Sequence, residues 1–266
     1  MKTKSLPLCV GLVGLLSLLA LPVAHGQTVY EDDFVTNPGN LNGRTTASGF
    51  GNWVTSDNAL QTGGGLLTVS TNSPVDYHAA TFGLPTLQSG QILNLSVSVL
   101  PSGGGFLGIG FTESAGQYLI NSGFSWMFLE GVGSVSPGGV QIFRGIGAQD
   151  NVYTGTPAGF SASLATTYTF SYDFSAKTIA LSALNGTTTF EFFSALDVAG
   201  LPASAFSNFA LQFQGQNLAS DSLPAYVDSI RVEVVPEPSV NLLLALGAVV
   251  LGVTTIRRSR AKALAA

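Results

Sequence analysis

The chain has 266 residues and only 9% of them are charged, which excludes an extensive surface of Lys- and Glu-rich helices. The segment from Gln27 to Val235 carries four basic and fourteen acidic side chains, a formal charge of 4 − 14 = −10, and such a segment repels nucleic acid phosphates. The single cysteine, Cys9, lies in the N-terminal leader, so the rest of the chain depends on a hydrophobic core rather than on disulfides.

The N-terminal leader has the three parts of a secretory signal peptide. Two lysines form the charged start, an apolar run covers residues 6–23, and Ala24-His25-Gly26 is a small-x-small cleavage site. Cleavage between Gly26 and Gln27 would remove residues 1–26 as a signal peptide. The alternative is a permanent N-terminal membrane anchor.

Period-two alternation of apolar and polar residues predicts β-strands after the leader. Residues 91–99 place apolar side chains on one face and polar side chains on the other. The same pattern runs through 167–193, with interruptions at Ser175-Ala176-Lys177 and at Asn185-Gly186. Asn-Gly is preferred in two-residue hairpins because both residues tolerate positive φ. We therefore predict a three-stranded antiparallel meander at 167–193.

Further strands are separated by glycine- and proline-rich turns. Ten or more short strands with alternating faces favour two packed antiparallel sheets in one domain. We call this domain, residues 27–234, the passenger, and we predict one short helix within 195–208. The additional predicted strands are Leu66–Ser70, Phe106–Thr112, Ser125–Glu130, Val140–Arg144, Phe209–Gln214 and Tyr226–Val234.

Two segments near the ends of the passenger resemble the terminal strands of concanavalin- or laminin-G-like jelly rolls. They are Val29-Tyr30-Glu31-Asp32-Asp33-Phe34 and Tyr226-Val227-Asp228-Ser229-Ile230-Arg231-Val232. The meander at 167–193 resembles that class too. The resemblance implies an all-β, two-sheet antiparallel jelly-roll sandwich whose first and last strands lie close together. A signal helix and a C-terminal transmembrane helix would flank it.

Catalytic motifs are scarce in the passenger. Its one histidine, His78, is accompanied by no Gly-x-Ser-x-Gly motif, so we predict an ordinary loop or strand residue. Residues 103–108 spell G-x-G-x-x-G, but strand-like residues follow where a dinucleotide site needs a helix, which indicates a glycine turn. Zinc sites need several His or Cys ligands, and the passenger sequence lacks them.

Two hypotheses involve carboxylates near the passenger's ends. Laminarinase-type jelly-roll hydrolases carry Glu-x-Asp-x-x-Glu on one strand, and Glu31-Asp32-Asp33 supplies only the first half, since Thr36 replaces the second Glu. Calcium takes six to eight oxygen ligands, and Glu31, Asp33 and Asp228 would converge on such an ion if the end strands pair. The alternative for these acids is solvated surface charge.

Sugar binding is the sharpest hypothesis for the passenger. Sugar sites combine exposed aromatic faces with nearby amides and carboxylates, and aromatics in a sandwich are otherwise core residues. Trp53, which follows a glycine and an asparagine, is the predicted platform, whereas Trp126 lies in a run typical of a core. The other candidates are the rings of Tyr118 and Tyr153 and the amides of Asn52, Asn121 and Asn151.

The C-terminal segment has three parts. Val235-Pro236-Glu237-Pro238-Ser239 precedes the chargeless apolar run 240–256, and Arg257-Arg258-Ser259-Arg260 follows it. A helix over the run would span roughly 25 Å at about 1.5 Å per residue, enough for a thin hydrocarbon core. The arginines should stay cytoplasmic, which places the passenger outside. The prolines fix φ and remove two backbone donors, so the motif should be extended and accessible.

This order of parts, over residues 235–262, resembles the PEP-CTERM sorting signal of exported proteins in biofilm-forming Gram-negative bacteria. The resemblance implies recognition by an exosortase, a membrane cysteine transpeptidase-like enzyme, with processing near the Pro-Glu-Pro motif. It implies that Pro236, Glu237 and Pro238 are recognised and that Arg257 and Arg258 stop transfer. The alternative is a plain tail anchor with a proline-rich hinge.

These observations predict a non-enzymatic exported protein of the cell envelope or extracellular matrix that contacts polysaccharide. Its expected partners are an exosortase, the membrane through the C-terminal helix, and an exopolysaccharide, with no cofactor unless calcium binds. A carbohydrate-active enzyme of the same fold is the first alternative. A purely structural adhesin or matrix subunit without a sugar site is the second.

Overall fold

A computed structural model describes residues 26–45, 51–69, 77–101, 105–121, 123–132, 140–214 and 225–237. The predicted signal helix and the predicted transmembrane helix at 240–256 lie outside these ranges. Within these ranges, we find no helix that is long and apolar enough to cross a membrane.

The described residues form two antiparallel sheets, which confirms the all-β two-sheet prediction. The nine-stranded sheet consists of β1 (Gln27–Asp32), β2 (Gly39–Asn40), β4 (Leu60–Gly63), β5 (Leu66–Val69), β7 (Gln91–Pro101), β12 (Thr166–Asp173), β13 (Thr178–Asn185), β14 (Thr188–Asp197) and β16 (Ala225–Pro236). The seven-stranded sheet consists of β3 (Val54–Thr55), β6 (Tyr77–Gly83), β8 (Gly105–Thr112), β9 (Phe124–Val132), β10 (Val140–Ile146), β11 (Asp150–Thr154) and β15 (Asn208–Gln214).

The strand order brings the two ends of the passenger together. The larger sheet runs β14-β13-β12-β7-β16-β5-β4-β2, with β1 also paired to β16, and the smaller runs β11-β10-β9-β8-β15-β6-β3. Strand β1 pairs antiparallel with β16, so that Gln27 lies opposite Val234 and Glu31 opposite Arg231. The prediction that the first and last strands are neighbours is confirmed.

The core lies between the sheets and is built from the inward-facing side chains of strands whose residues alternate between buried and exposed. Side chains along β12 alternate between buried and half-buried, so Tyr168 and Phe170 point inward. They meet Phe128 and Trp126 of the smaller sheet, with ring centroids 4.9 Å apart for Phe128–Tyr168 and 5.8 Å for Trp126–Phe170. Each such pair contributes about 0.5–1.5 kcal/mol beyond its buried area. The core position predicted for Trp126 is confirmed.

The predicted meander at 167–193 is confirmed as β12, β13 and β14, but its second turn differs by one residue. Asn185 is still a strand residue and pairs with Thr188, so Gly186 and Thr187 form the two-residue loop. Gly186 takes φ +60, a value that glycine adopts without strain. The Asn185 side chain is buried and donates to the Thr166 hydroxyl at 2.7 Å and to the Ser161 carbonyl at 2.9 Å. Those bonds explain why Asn185 belongs to the strand.

Strand β6 was absent from the sequence prediction because it does not alternate. Five consecutive residues, 78–82, are buried, since its inner face meets the core and a loop covers its outer face. In that loop the Gly116 N–H donates to Thr81 Oγ1 at 2.8 Å, and the Tyr118 hydroxyl donates to the Tyr77 carbonyl at 3.0 Å. The helix predicted within 195–208 is reduced to the 3-10 turn Ala203–Phe206.

Candidate functional site

The prediction that Trp53 offers an exposed aromatic platform is wrong. Trp53 is 0% exposed and packs edge-on against Phe82, with ring centroids 4.7 Å apart. Its indole N–H donates to the Tyr30 hydroxyl at 2.9 Å, and that hydroxyl donates to Asp32 Oδ2 at 3.0 Å. Burial, followed by the nearby Asp32 charge, raises the pKa of Tyr30. This wholly buried network fixes Trp53 as a structural residue.

The predicted convergence of Glu31, Asp33 and Asp228 on a calcium ion is also wrong. The end strands do pair, but the neighbour of Glu31 is Arg231, whose Nη1 lies 3.7 Å from Glu31 Oε1 and would oppose a cation. Asp33 Oδ1 instead accepts the Val35 N–H at 3.1 Å. Among the residues that the structure describes, no three His, Cys, Asp or Glu side chains form a metal-binding group.

His78 is a buried strand residue, and its geometry is not that of a hydrolytic triad. Its Nδ1 lies 2.9 Å from Asp57 Oδ2. Burial acts to raise the pKa of Asp57, but hydrogen bonds from His78 and from the Ala59 N–H outweigh it and lower that pKa. The nearby Ser56 hydroxyl contacts the Asp57 carboxylate at 3.2 Å rather than His78 Nε2, which has no hydrogen-bond partner among the described residues. A nucleophilic serine would need that imidazole nitrogen as its base.

Glu130 is another buried titratable group in the sandwich. It lies at the inner face of β9, is 1% exposed, and accepts a hydrogen bond from the Tyr168 hydroxyl. Its other oxygen, Oε1, has no hydrogen-bond partner within the described segments. Burial raises the pKa of Glu130 to about 8, so the group is largely a neutral acid at pH 7. It is closed to solvent and offers no ligand site.

An open cleft lies where the β10–β11 hairpin meets the start of β9. It encloses about 430 Å³, within the range of small-molecule sites. Its lining combines a guanidinium, a carboxylate and an amide with apolar side chains, and one of these, Ile146, is 67% exposed. We call it the hairpin cleft, lined by Phe124, Arg144, Gly145, Ile146, Gln149, Asp150, Gly200 and Leu201.

A tight backbone turn shapes the hairpin cleft. Gly145 and Gly147 take φ +96 and +63, and Ala148 takes φ +48. The Gly147 N–H donates to the Gly123 carbonyl at 2.9 Å, and the Ala148 N–H donates to the Gly145 carbonyl at 3.2 Å. A Cβ added to Gly147 would lie 2.8 Å from the Ile120 carbonyl oxygen. Only glycine permits this approach, which ties the hairpin to the neighbouring loop.

Arg144 and Asp150 lie directly opposite each other on β10 and β11 and yet remain unpaired. Directly opposed side chains in an antiparallel pair have Cβ atoms about 5 Å apart and normally interact. Instead, Arg144 Nη1 donates to the Asp197 carbonyl at 2.9 Å, and no ion pair of Arg144 occurs among the described residues. The cleft thus presents a charged donor and a charged acceptor side by side.

Two residues at the edge of this cleft were predicted from the sequence, but the residues at its centre were not. Tyr153 and Asn151, two of the suggested sugar-binding residues, lie on β11 beside the cleft, but Tyr153 packs against Phe193 at 5.7 Å. Tyr118 is held by its hydrogen bond to Tyr77. The residues that line the cleft were not predicted. The glycine pair in Arg144-Gly145-Ile146-Gly147 could have indicated this site from the sequence, because it marks the tight turn between two antiparallel strands.

A second cleft, of about 300 Å³, lies at the same end of the sandwich. Its walls come from residues 84–87, 203–204 and 206–207 and from Phe174, and none of these described lining residues is charged. It offers little hydrogen bonding beyond two serine hydroxyls and one threonine hydroxyl. The hairpin cleft is therefore the better candidate for a polar ligand.

No protein-family model matches the chain, and no curated protein matches it. Solved structures do share its fold. A legume lectin-like domain from Entamoeba histolytica is 11% identical, covers 68% of this chain and 88% of its own, and has a TM-score of 0.50. Peanut lectin is 14% identical with coverages of 79% and 98% and a TM-score of 0.52. Winged bean acidic lectin, solved with methyl-α-D-galactose, is 10% identical with coverages of 80% and 100% and a TM-score of 0.51.

These likenesses define the class of the fold, a two-sheet sandwich of the legume-lectin type. The identities of 10–14% define the architecture alone.

Proposed function

We propose that this chain is an exported, non-enzymatic protein of the cell envelope or extracellular matrix that contacts polysaccharide through the hairpin cleft. The observation that carries the proposal is the open pair of Arg144 and Asp150 across the cleft. Lectin-like neighbours of the same fold support a carbohydrate ligand.

The chemistry of a sugar fits this open pair. Each hydroxyl of a vicinal diol both donates and accepts, so one hydroxyl accepts from the Arg144 guanidinium while its neighbour donates to the Asp150 carboxylate. Hydrogen bonds to charged groups contribute about 1.5–3 kcal/mol each. The exposed Ile146 side chain gives the apolar ring face a contact, and the Gln149 amide adds a further donor and acceptor.

The carboxylate count supports binding rather than hydrolysis. Glycoside hydrolases use two carboxyl groups about 5–9.5 Å apart across the scissile bond. Among the described residues that line the hairpin cleft, Asp150 is the one acidic side chain. The Glu31-Asp32-Asp33 segment lies outside this cleft, on β1 and the residue after it. The Asp32 carboxylate is already paired with Arg44, whose Nη2 lies 2.9 Å from Asp32 Oδ1.

The routing part of the proposal rests on the two terminal signals in the sequence. Pro236 is the last residue of β16, and the Glu237 N–H donates to the Gly90 carbonyl at 2.8 Å. The proposed sorting motif would therefore follow directly after β16, and Gln27, the first residue after the proposed leader, starts β1. Pro238, the apolar run 240–256, Arg257 and Arg258 lie outside the described residues. On this proposal an exosortase recognises the motif.

Sugar binding is tested with the full chain on a glycan array and by calorimetry against the best glycan found. Replacing Arg144→Ala should weaken binding at least tenfold, because one charged hydrogen bond is lost. Lys177→Gln is the matched control, since it removes a cation at the same end of the sandwich but outside the cleft. An array on which no glycan binds leaves the structural adhesin as the function. Release of reducing ends from β-glucans would instead establish the enzyme.

Routing is tested separately by fractionating cells that express the full chain. The expected product lacks residues 1–26, begins at Gln27, and is found in the envelope or medium. Replacing Arg257 and Arg258 with glutamate should disturb its membrane orientation. An uncut product that is soluble in the cytosol would overturn the export proposal.

A further inference from the structure

The hairpin cleft and the second cleft share one loop, which runs from the end of β14 to the start of β15. Leu201 lines the hairpin cleft, and Ala203 lines the second cleft. Consecutive Cα atoms are about 3.8 Å apart, so the Cα atoms of these two residues lie no more than about 7.6 Å from each other. The residue between them, Pro202, is half-buried. The two clefts are therefore neighbours across this loop.

A single carboxylate joins the walls of the two clefts. Glu113 Oε1 accepts the Phe124 N–H at 2.9 Å, and Glu113 Oε2 accepts the Ser204 hydroxyl at 3.0 Å. Phe124 lines the hairpin cleft, and Ser204 lines the second cleft. The Glu113 residue is exposed, and a carboxylate offers about four acceptor positions, of which these contacts use two. Glu113 can therefore accept further hydrogen bonds from a ligand that passes from one cleft to the other.

The second cleft has the chemistry of a subsite for a neutral sugar. The half-buried ring of Phe174 forms part of its wall, and the exposed Thr86, Ser204 and Ser207 supply hydroxyl groups that both donate and accept. Ligand sites commonly combine apolar walls with a few polar groups that orient the ligand. Since none of the described lining residues is charged, the cleft fits a neutral sugar better than one with a carboxylate or sulfate group.

We infer that the two clefts are subsites of one groove, which binds an extended segment of a neutral polysaccharide rather than a single sugar. The inference rests on the proposed sugar binding by the hairpin cleft and adds a second contact region to it. One sugar residue binds between Arg144 and Asp150, and a later residue of the same glycan packs on Phe174. Between the two clefts the glycan passes Glu113. A monosaccharide occupies one cleft only, whereas a longer glycan reaches both.

The dependence of affinity on glycan length tests this inference. The full chain is titrated by calorimetry with neutral oligosaccharides, from monosaccharide to hexasaccharide, in separate series of glucose, galactose and mannose. At least one series should gain about tenfold or more in affinity with length, because only a long glycan engages both clefts. Equal affinity at every length, with binding still lost in Arg144→Ala, would overturn the inference and leave the hairpin cleft as the sugar site. If no series binds, the proposed sugar binding fails and this inference fails with it.

The variant Ala203→Phe shows which cleft supplies the gain. Ala203 is exposed and lines the second cleft, so a phenyl group there should occupy the space meant for the sugar. We expect the hexasaccharide to lose its gain of about tenfold or more, while the monosaccharide keeps its affinity. Ala176→Phe is the matched control, because Ala176 is exposed in the turn between β12 and β13 and lines neither cleft. Equal losses in the two variants, or a gain that survives in Ala203→Phe, would contradict the inference.

Glu113→Gln gives a second measurement, which decides the question if Ala203→Phe fails to fold. Glutamine can keep the contact with the Phe124 N–H but removes the charge of the acceptor, so the affinity for the hexasaccharide should fall roughly fivefold. The affinity for the monosaccharide should not change. Glu191→Gln is the control, because it makes the same chemical change on an exposed residue of β14. A Glu113→Gln protein that binds every length as wild type does, or that loses affinity equally for every length, would refute the role of Glu113 between the clefts.

Discussion

Two arginine–aspartate pairs in this protein have opposite geometries. Arg44 Nη2 lies 2.9 Å from Asp32 Oδ1, and the two side chains are only 10% and 7% exposed. Arg144 and Asp150 face each other on neighbouring strands, yet they form no ion pair and line an open cleft. The first pair is a closed structural contact, and the second leaves both charges available to a ligand.

The surroundings of each pair explain the difference. Asp32 also accepts from the Phe34 N–H at 2.8 Å and from the Tyr30 hydroxyl, so its buried carboxylate is fully bonded, as a buried charge must be. Arg144 is drawn to the Asp197 carbonyl instead, and the Asp150 carboxylate lies close to Gly145. Water can solvate the open pair, whereas the closed pair has only its protein partners. Burial therefore decides which pair is structural.

The largest loss of folding stability is expected from breaking the buried pair of Arg44 and Asp32. Arg44→Ala leaves the Asp32 charge buried without its counterion, and losses of this kind cost about 3–5 kcal/mol. Urea unfolding followed by tryptophan fluorescence measures the loss, since Trp53 belongs to the same network. Arg231→Ala is the control, because that arginine is exposed and its removal should leave the midpoint nearly unchanged. An Arg44→Ala protein as stable as this control would show that the closed pair is not structural.

The second-largest effect on stability is expected from Glu130, a buried acid that has no cationic partner among the described residues. Its pKa rises from 4.5 to about 8 on folding, so the folded state binds the proton more tightly. Stability is therefore full below about pH 4.5, falls by about 1.4 kcal/mol per pH unit above it, and levels off above pH 8. Glu130→Gln should remove this slope and stabilise the protein by about 3 kcal/mol at pH 7.

Unfolding measured at pH 5, 7 and 9 checks the Glu130 prediction. Glu191→Gln is the matched control, because it makes the same chemical change on an exposed side chain of β14 and should keep the wild-type slope. A Glu130→Gln protein that loses stability with pH as steeply as wild type would refute the assignment.

The sequence predicted the strands of the sandwich well where one face of a strand is exposed to solvent. The alternation in β12 follows directly from burial on one side, so the meander and its neighbours were found. Strand β6 was missed because both of its faces are covered. Covering depends on a loop 35 residues further along the chain, where Gly116 reaches Thr81. Local periodicity carries no information about such a distant partner.

The candidate site was harder to predict for the same reason. Trp53 follows a glycine and an asparagine, which indicated a surface turn, but its backbone N–H bonds the Arg44 carbonyl at 2.9 Å and its ring enters the core. The hairpin that holds Arg144 and Asp150 is local and could be found from its glycines. Phe124 and Leu201, which complete the cleft, come from distant segments. Only the folded chain brings these parts together.

The smallest effect on stability, and the sharpest test of the comparison, comes from double-mutant cycles on the two pairs. For Arg44 and Asp32, replacing both with alanine should cost much less than the sum of the single changes, with a coupling energy of about 1–3 kcal/mol. For Arg144 and Asp150 the coupling should stay within about 0.5 kcal/mol, because the charges do not touch and water screens them. Glycan affinity should show the reverse pattern, with strong coupling between Arg144 and Asp150 because one sugar bridges them. Equal stability coupling in both pairs would mean that Arg144 and Asp150 form a closed ion pair in solution, and an absence of coupling between them in glycan affinity would contradict the bridging sugar.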